Sequence, residues 1–304
     1  MIRDNLSISD PIGTYLDIPQ DVYSVVFSHL EPAGIESALL VNKLWRKTIV
    51  ENPYFRTRMI GPNDWAKFFK GPALSDEEIQ IIYASLPNNL YKILNTPCPV
   101  FSKEGEVVKK YGGLIKNTHV LAYISRYVRS GTHTLTAITL RSLGALLESK
   151  LDPYDLIGKK REIEGYDELC EELDIDIIVK EAHWVLLAKD LLGETDYGPT
   201  GSRGKSYDAH VKMIEELRKK TGQFYQMPSR LEFVAVIVAH WIKFNECLFG
   251  PADDYKETYT SVEDDERAYG NTEKYGMRIT YEASEDDTGI APAMRFYPEK
   301  GSKK

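Results

Sequence analysis

An α+β fold, with a small helical module ahead of a larger mixed α/β domain, is what the order of hydropathy patterns along this chain predicts. Three observations carry it. From Tyr15 to about Arg58 the apolar residues follow a helical period, with Val22, Val26 and Leu30 recurring every four residues on one face. The middle of the chain alternates strand-like and helix-like stretches. From Tyr255 to Tyr297 it returns to strand-like segments, notably Met277–Tyr281 and Met294–Tyr297, so helices and strands are partly segregated.

Taken in order, residues 1–14 are short, polar and unpatterned, and are expected to be flexible. Pro19 suits the first turn of a helix, where its missing N–H is not needed. Pro32 and Gly34 interrupt the chain, a second short helix passes through Ala38 and Val41, and a third carries Trp45 before Asn52-Pro53 ends the run. Ile60-Gly61-Pro62 reads as a joint between domains. Helical pieces follow around Asp64–Lys70, Asp76–Ser85 and Asn89–Leu94, and the prolines flanking Cys98 rule out regular structure there. His119–Ile124 reads as a strand, and Thr139 as the cap of a helix reaching about Ser149. Tyr166–Leu173 reads as a short helix and His183–Ala188 as a buried strand. Ser206–Lys220 is an amphipathic helix ended by Gly222, and Ser229–Leu248 a longer, more apolar one. Phe224-Tyr225 and Met227-Pro228 are expected in a buried loop between those two helices.

Composition narrows the function. The 304 residues are 42% hydrophobic and 28% charged, ordinary values for a folded globular chain. A net charge of -8 argues against nucleic acid or an anionic membrane as the main partner, because phosphate attraction needs a basic surface. The basic run Arg218-Lys219-Lys220 reads as cation placement at a helix C-terminus. Three widely spaced cysteines, Cys98, Cys170 and Cys247, suggest reduced thiols and hence a cytoplasmic setting. The N-terminal residues lack an apolar core of signal-peptide length, and Phe233–Trp241 is too short to span a bilayer.

The most specific pattern lies near the start. Ile18-Pro19 is followed by Asp21 and an apolar helix through Val22, Val26 and Phe27, ending in Ser28-His29-Leu30-Glu31-Pro32. Ile35 stands three positions after that proline, and Val41, Trp45 and Arg46 complete the series. A three-helix unit this short buries little apolar area by itself, so a leftover apolar face is a natural docking surface. Residues 15–60 resemble an F-box. The resemblance implies that Ile18, Pro19, Val22, Val26, Leu30 and Ile35 contact a Skp-type adaptor protein, itself seated on a cullin scaffold. Phe27, Val41 and Trp45 would hold the three helices together. Gly34, where F-boxes usually carry an acidic residue, and Asn42, in place of the common Cys or Ser, depart from the pattern without removing an apolar contact.

A second likeness covers about Ile93 to Leu248. The stretch Ile93 to Phe101, with Asn117 to Leu121, Leu140 to Leu146, Ala182 to Leu186 and Lys205-Ser206-Tyr207, resembles F-box-bearing hypothetical proteins of amoeba-dwelling intracellular bacteria. That likeness implies an effector delivered into the cytosol of a eukaryotic host. It implies no catalytic chemistry.

Enzyme readings are weaker. Gly198 is followed by five residues before Gly204-Lys205-Ser206, one more than a phosphate-binding loop allows, and Pro199 lacks an N–H; a flexible loop with Ser206 capping its helix fits better. No Cys-x-x-Cys or His-x-x-x-His spacing occurs, so neither a metal nor a cofactor is expected. The acidic runs Asp253-Asp254 and Glu263 to Glu266 lack the spacing of a calcium loop. Cys98 is a conceivable nucleophile with His119 or His183 as base, although both histidines, each opening a strand, read more simply as hydrogen-bonded structural groups. His210 and Ser206, four apart, read as a surface pair. The expectation is therefore a non-catalytic ubiquitin-ligase adaptor. Residues 15–60 would bind the Skp-type adaptor, and residues 61–304 would recruit an unknown protein substrate. The alternative is an enzyme domain of unknown chemistry localised by the F-box.

Overall fold

Two continuous apolar runs form the centre of the larger domain. His119–Ile124 (β2) and His183–Ala188 (β5) pair antiparallel from His119↔Ala188 to Ile124↔His183, and every residue of both is buried. Strands buried on both faces read as unbroken apolar stretches, which is why both were visible in the sequence. The computed structural model describes residues 59–87, 89–101, 105–131, 134–148, 176–192, 201–246, 248, 259–261, 269–273, 276–280 and 288–297. Residues 1–14, for which flexibility was expected, and residues 15–58 of the predicted three-helix module lie outside these residues. So do the helix expected over Tyr166–Leu173, both acidic runs, Cys170 and Cys247.

Around the central pair a mixed five-stranded sheet is ordered β1-β2-β5-β11-β6, with β1 at Met59–Ile60, β6 at Tyr225–Gln226 and β11 at Ala293–Phe296. Side chains alternate strictly across it. One face carries Ile60, Val120, Ala122, Ile124, Val185, Leu187 and Ala293, in one core with helices α1 (Pro62–Phe68), α6 (Leu140–Glu148) and α8 (Arg230–Phe244). The other carries Met59, Leu121, Tyr123, Trp184, Leu186, Tyr225 and Met294, in a second core. That core is shared with α2 (Asp76–Tyr83), α3 (Leu90–Asn95), α5 (Ile115–Thr118) and α7 (Tyr207–Thr221). Helices with a mixed sheet make the described part α+β, as predicted.

Local chemistry explains the element ends. Ser206 caps α7, its Oγ accepting from Ala209 N, and Gly222 closes the helix at φ 67°. Ser229 and Glu232 form a capping box at the start of α8. This helix stops at Phe244, short of the expected Leu248, because Asn245 takes a left-handed conformation at φ 52°. Thr139 Oγ1 accepts from Ser142 N at 3.1 Å, the predicted cap of α6.

Several features differ from the sequence expectation. At Ile60-Gly61-Pro62, expected as a joint, the chain is in regular structure: Met59 and Ile60 pair in parallel with Leu121 and Ala122, and Gly61 is the N-cap residue of α1. Lys243 Nζ on α8 donates to Met59 O at 2.7 Å and to Asp64 Oδ2 at 2.8 Å, fastening this corner to the core. Tyr225–Gln226 is an edge strand and not a loop, and Phe224 beside it is 85% exposed. A short helix α4 (Glu106–Tyr111) and a hairpin of β3 (Tyr127–Ser130) with β4 (Thr134–Ala137) occur where no element was predicted. The tail supplies a four-stranded sheet, β10-β7-β8-β9, from β7 (Tyr259–Ser261), β8 (Tyr269–Glu273), β9 (Gly276–Thr280) and β10 (Thr288–Gly289). Among the described residues no helix is long and apolar enough to cross a membrane.

Candidate functional site

All the residues expected to meet the Skp-type adaptor, Ile18, Pro19, Val22, Val26, Leu30 and Ile35, and the module core of Phe27, Val41 and Trp45, lie outside the described residues. What the structure does place is the polar chemistry of the larger domain. It falls into separate groups.

The first group centres on Glu232 in the opening turn of α8. Its Oε1 accepts from His183 Nε2 at 2.5 Å and from Arg295 Nε at 2.6 Å. Its Oε2 accepts from Ser229 N and from Arg295 Nη2, both at 2.6 Å. Both oxygens therefore take two hydrogen bonds, which saturates the carboxylate. Glu232 is 2% exposed. Burial on its own would raise the carboxyl's pKa, but the hydrogen bonds and charge of His183 and Arg295 outweigh it and pull the group down to about 2. His183 Nδ1 meets Glu181 O at 2.8 Å, so both ring nitrogens face acceptors. Tyr297 lies over the ring at 4.9 Å between centroids. The alternation of the sheet creates the cluster: His183 and Arg295 sit on β5 and β11 on the face that α8 covers.

The second group lies at the other end of β2 and on the opposite face. His119 is buried, its Nδ1 3.0 Å from Thr118 Oγ1 and its Nε2 3.4 Å from the Tyr225 hydroxyl. Desolvation drives its pKa down to about 3, so the ring is neutral near neutral pH. Burial pushes the Tyr225 phenol up, with a further contribution from nearby Cys98. Cys98 is a half-buried residue that packs on this second core, and its N–H donates to Gly113 O at 2.8 Å. Of the two histidines considered as partners for Cys98, only His119 is on its side of the sheet. His183, at the far end of a six-residue strand pair, is separated from His119 by roughly 17 Å of strand and by the sheet itself. Both histidines are hydrogen-bonded and buried, as the structural reading expected.

At the C-terminal end of α8, two ammonium groups lie over the Tyr111 ring, Lys110 Nζ at 4.7 Å and Lys189 Nζ at 4.5 Å from its centroid. Its hydroxyl donates to Glu246 Oε1 at 3.1 Å, and His240 Nδ1 donates to Glu246 O at 3.0 Å. Burial lowers the pKa of His240 to about 4. His210 corrects the expected surface pair: it is fully buried, and its Nε2 donates to Ser202 O at 2.8 Å. Ser202 is buried as well, donating to Leu192 O at 3.2 Å and accepting from Ile290 N at 3.1 Å, so this part of the Gly/Ser loop is anchored. Among the described residues, no group of three or more His, Cys, Asp and Glu side chains is placed to hold a metal ion.

Glu232 and Arg295 were not singled out in the sequence, and Tyr225 was expected only as part of a buried loop. Ser229-x-x-Glu232 carried a readable capping-box signal. Arg295 and Tyr225 carried none, since their roles depend on strand pairings between distant segments. Compared with known proteins, the chain matches no family model, no curated protein and no solved structure.

Proposed function

We propose that this protein is an F-box adaptor of a cullin ubiquitin ligase. Residues 15–60 bind a Skp-type adaptor, and the α+β domain that follows recruits a protein for ubiquitination, as an effector acting in the cytosol of a eukaryotic host. The observation that carries this reading is the fixed spacing of Ile18, Pro19, Asp21, Val22, Val26, Leu30, Pro32, Ile35, Val41 and Trp45. The mechanism is proximity: a substrate lysine held near a charged conjugating enzyme reacts as if at high concentration, and this chain forms no covalent bond itself. The saturated carboxylate of Glu232 and the neutral, doubly bonded ring of His119 support a structural reading of the domain's polar groups.

The test is capture of a recombinant Skp adaptor by the full chain and by a Pro19→Ala/Val22→Ala variant. Capture by the wild type and loss in the variant is expected, and equal retention by both would overturn the reading. Ubiquitin-chain assembly on a reconstituted scaffold then separates a working ligase adaptor from a protein that merely binds.

A further inference from the structure

The hairpin of β3 and β4 carries an inference that is independent of the proposed function. Among the described residues it joins neither larger sheet. Ile138 N donates to Arg126 O at 3.0 Å, and the register pairs Val128 with Thr136 and Ser130 with Thr134. Backbone groups alternate along an antiparallel pair, so those residues bond inward. Tyr127 and Arg129 on β3, and Leu135 and Ala137 on β4, therefore direct their N–H and C=O groups outward.

The two outer edges differ. That of β3 is closed: a Cβ on Gly71 would lie 1.8 Å from Arg129 O, so the chain leaving α1 runs directly against it. That of β4 is open. Leu135 is 67% exposed, and the backbone groups of Leu135 and Ala137 bond to nothing outside the hairpin among the described residues. Open edges are ordinarily blunted with charge, proline or a bulge. From Thr132 to Leu140 this chain has no Asp, Glu, Lys, Arg or Pro, and Thr-Leu-Thr-Ala is a sequence that favours a strand.

We propose that β4 pairs antiparallel with β4 of a second copy of this chain, about a twofold axis through Thr136, so that the two hairpins form one continuous sheet. In that register Leu135 opposes Ala137 of the other copy, and each such pair exchanges both backbone hydrogen bonds. The side chains agree. Tyr127, Leu135 and Ala137 share the outward face, and the small Ala137 leaves room for the other copy's Leu135 to reach Tyr127, itself 46% exposed. A twofold contact sets each edge residue against its symmetry equivalents, and an edge without charge meets no like charge there. An extended segment of a different protein is the competing occupant.

Sedimentation velocity of the full chain from low to high micromolar concentration tests this, with hydrogen exchange measured at both ends of that range. The expected result is a concentration-dependent dimer in which the Leu135 and Ala137 amides exchange more slowly as it forms. Leu135→Lys, which places like charges beside the axis, should abolish the dimer while keeping the circular dichroism of the wild type. A monomer throughout the range, a dimer without protection at Leu135 and Ala137, or a dimer that a folded Leu135→Lys variant retains would each overturn the proposal. Should that variant not fold, the exchange measurement on the wild type still decides.

Discussion

Replacing Glu232 by Gln keeps the shape of the side chain and removes its charge, and it is the sharpest test of how the larger domain is held together. The carboxylate accepts from His183, from Ser229 N and twice from Arg295. An amide there must turn its NH2 group toward donors and takes the Glu232 charge away from the Arg295 guanidinium, whose side chain is only 10% exposed. Breaking one partner of a buried ion pair costs about 3–5 kcal/mol, and the partial exposure of the Arg295 side chain argues for the lower end. The depressed pKa that these same contacts give the carboxyl, about 2 in place of 4.5, corresponds to a similar size, about 3 kcal/mol. The sign follows from linkage. A depressed carboxylate contributes fully above its unfolded pKa, and the contribution fades as pH falls from about 4.5 toward 2. Urea unfolding of the full chain, followed by circular dichroism, should therefore show Glu232→Gln less stable by about 3 kcal/mol at pH 7. The gap between the two proteins should close as pH drops through that window. A difference below about 1 kcal/mol at pH 7, within the range of a surface ion pair, would refute the reasoning. So would a gap that does not change with acid.

His119 titrates in the same direction over a higher pH window. Its folded pKa, lowered to about 3, makes the unfolded chain bind the extra proton, so the stability it contributes is complete above its ordinary 6.5 and is lost as pH falls from there toward 3. His119→Gln should flatten the acid limb of the stability profile, read from melting temperature against pH, by up to about 1.4 kcal/mol per pH unit. Gly71→Ala would drive a methyl group into Arg129 O, and should cost about 2 kcal/mol and loosen the hairpin, seen as faster amide exchange across β3 and β4.

Sequence reading succeeded where one residue type settles a local question. Ser206 and Gly222 bound α7 because a hydroxyl satisfies a free N–H at one end and a glycine accepts a positive φ at the other. β2 and β5 were legible because a strand buried on both faces is apolar along almost all its length, here the five residues after an opening histidine. It failed where the deciding contact is remote. His183 and Glu232 are 49 positions apart, and Glu232 and Arg295 are 63 apart, so their meeting depends on which strands pair and which face a helix covers. His210 looked like a surface residue because periodicity says nothing about the Ser202 carbonyl that meets it from a separate loop. Asn245 ended α8 early because a left-handed asparagine, unlike a glycine, leaves no clear mark in a sequence.

The placement of charge in the larger domain bears on what it is for. A catalytic carboxylate or imidazole needs a lone pair or proton free to act, in a setting that tunes it near the working pH. Glu232 has every acceptor site occupied and a pKa near 2, while His119 has both nitrogens engaged and a pKa near 3. Each is fixed in a single protonation state across the physiological range. Groups fixed in this way clamp α8 to β5 and β11, and β2 to β6. A recruiting scaffold has use for such clamps, because rigidity lowers the entropy lost when it holds a partner. Glu232 and His119 thus serve the interior as clamps between its elements.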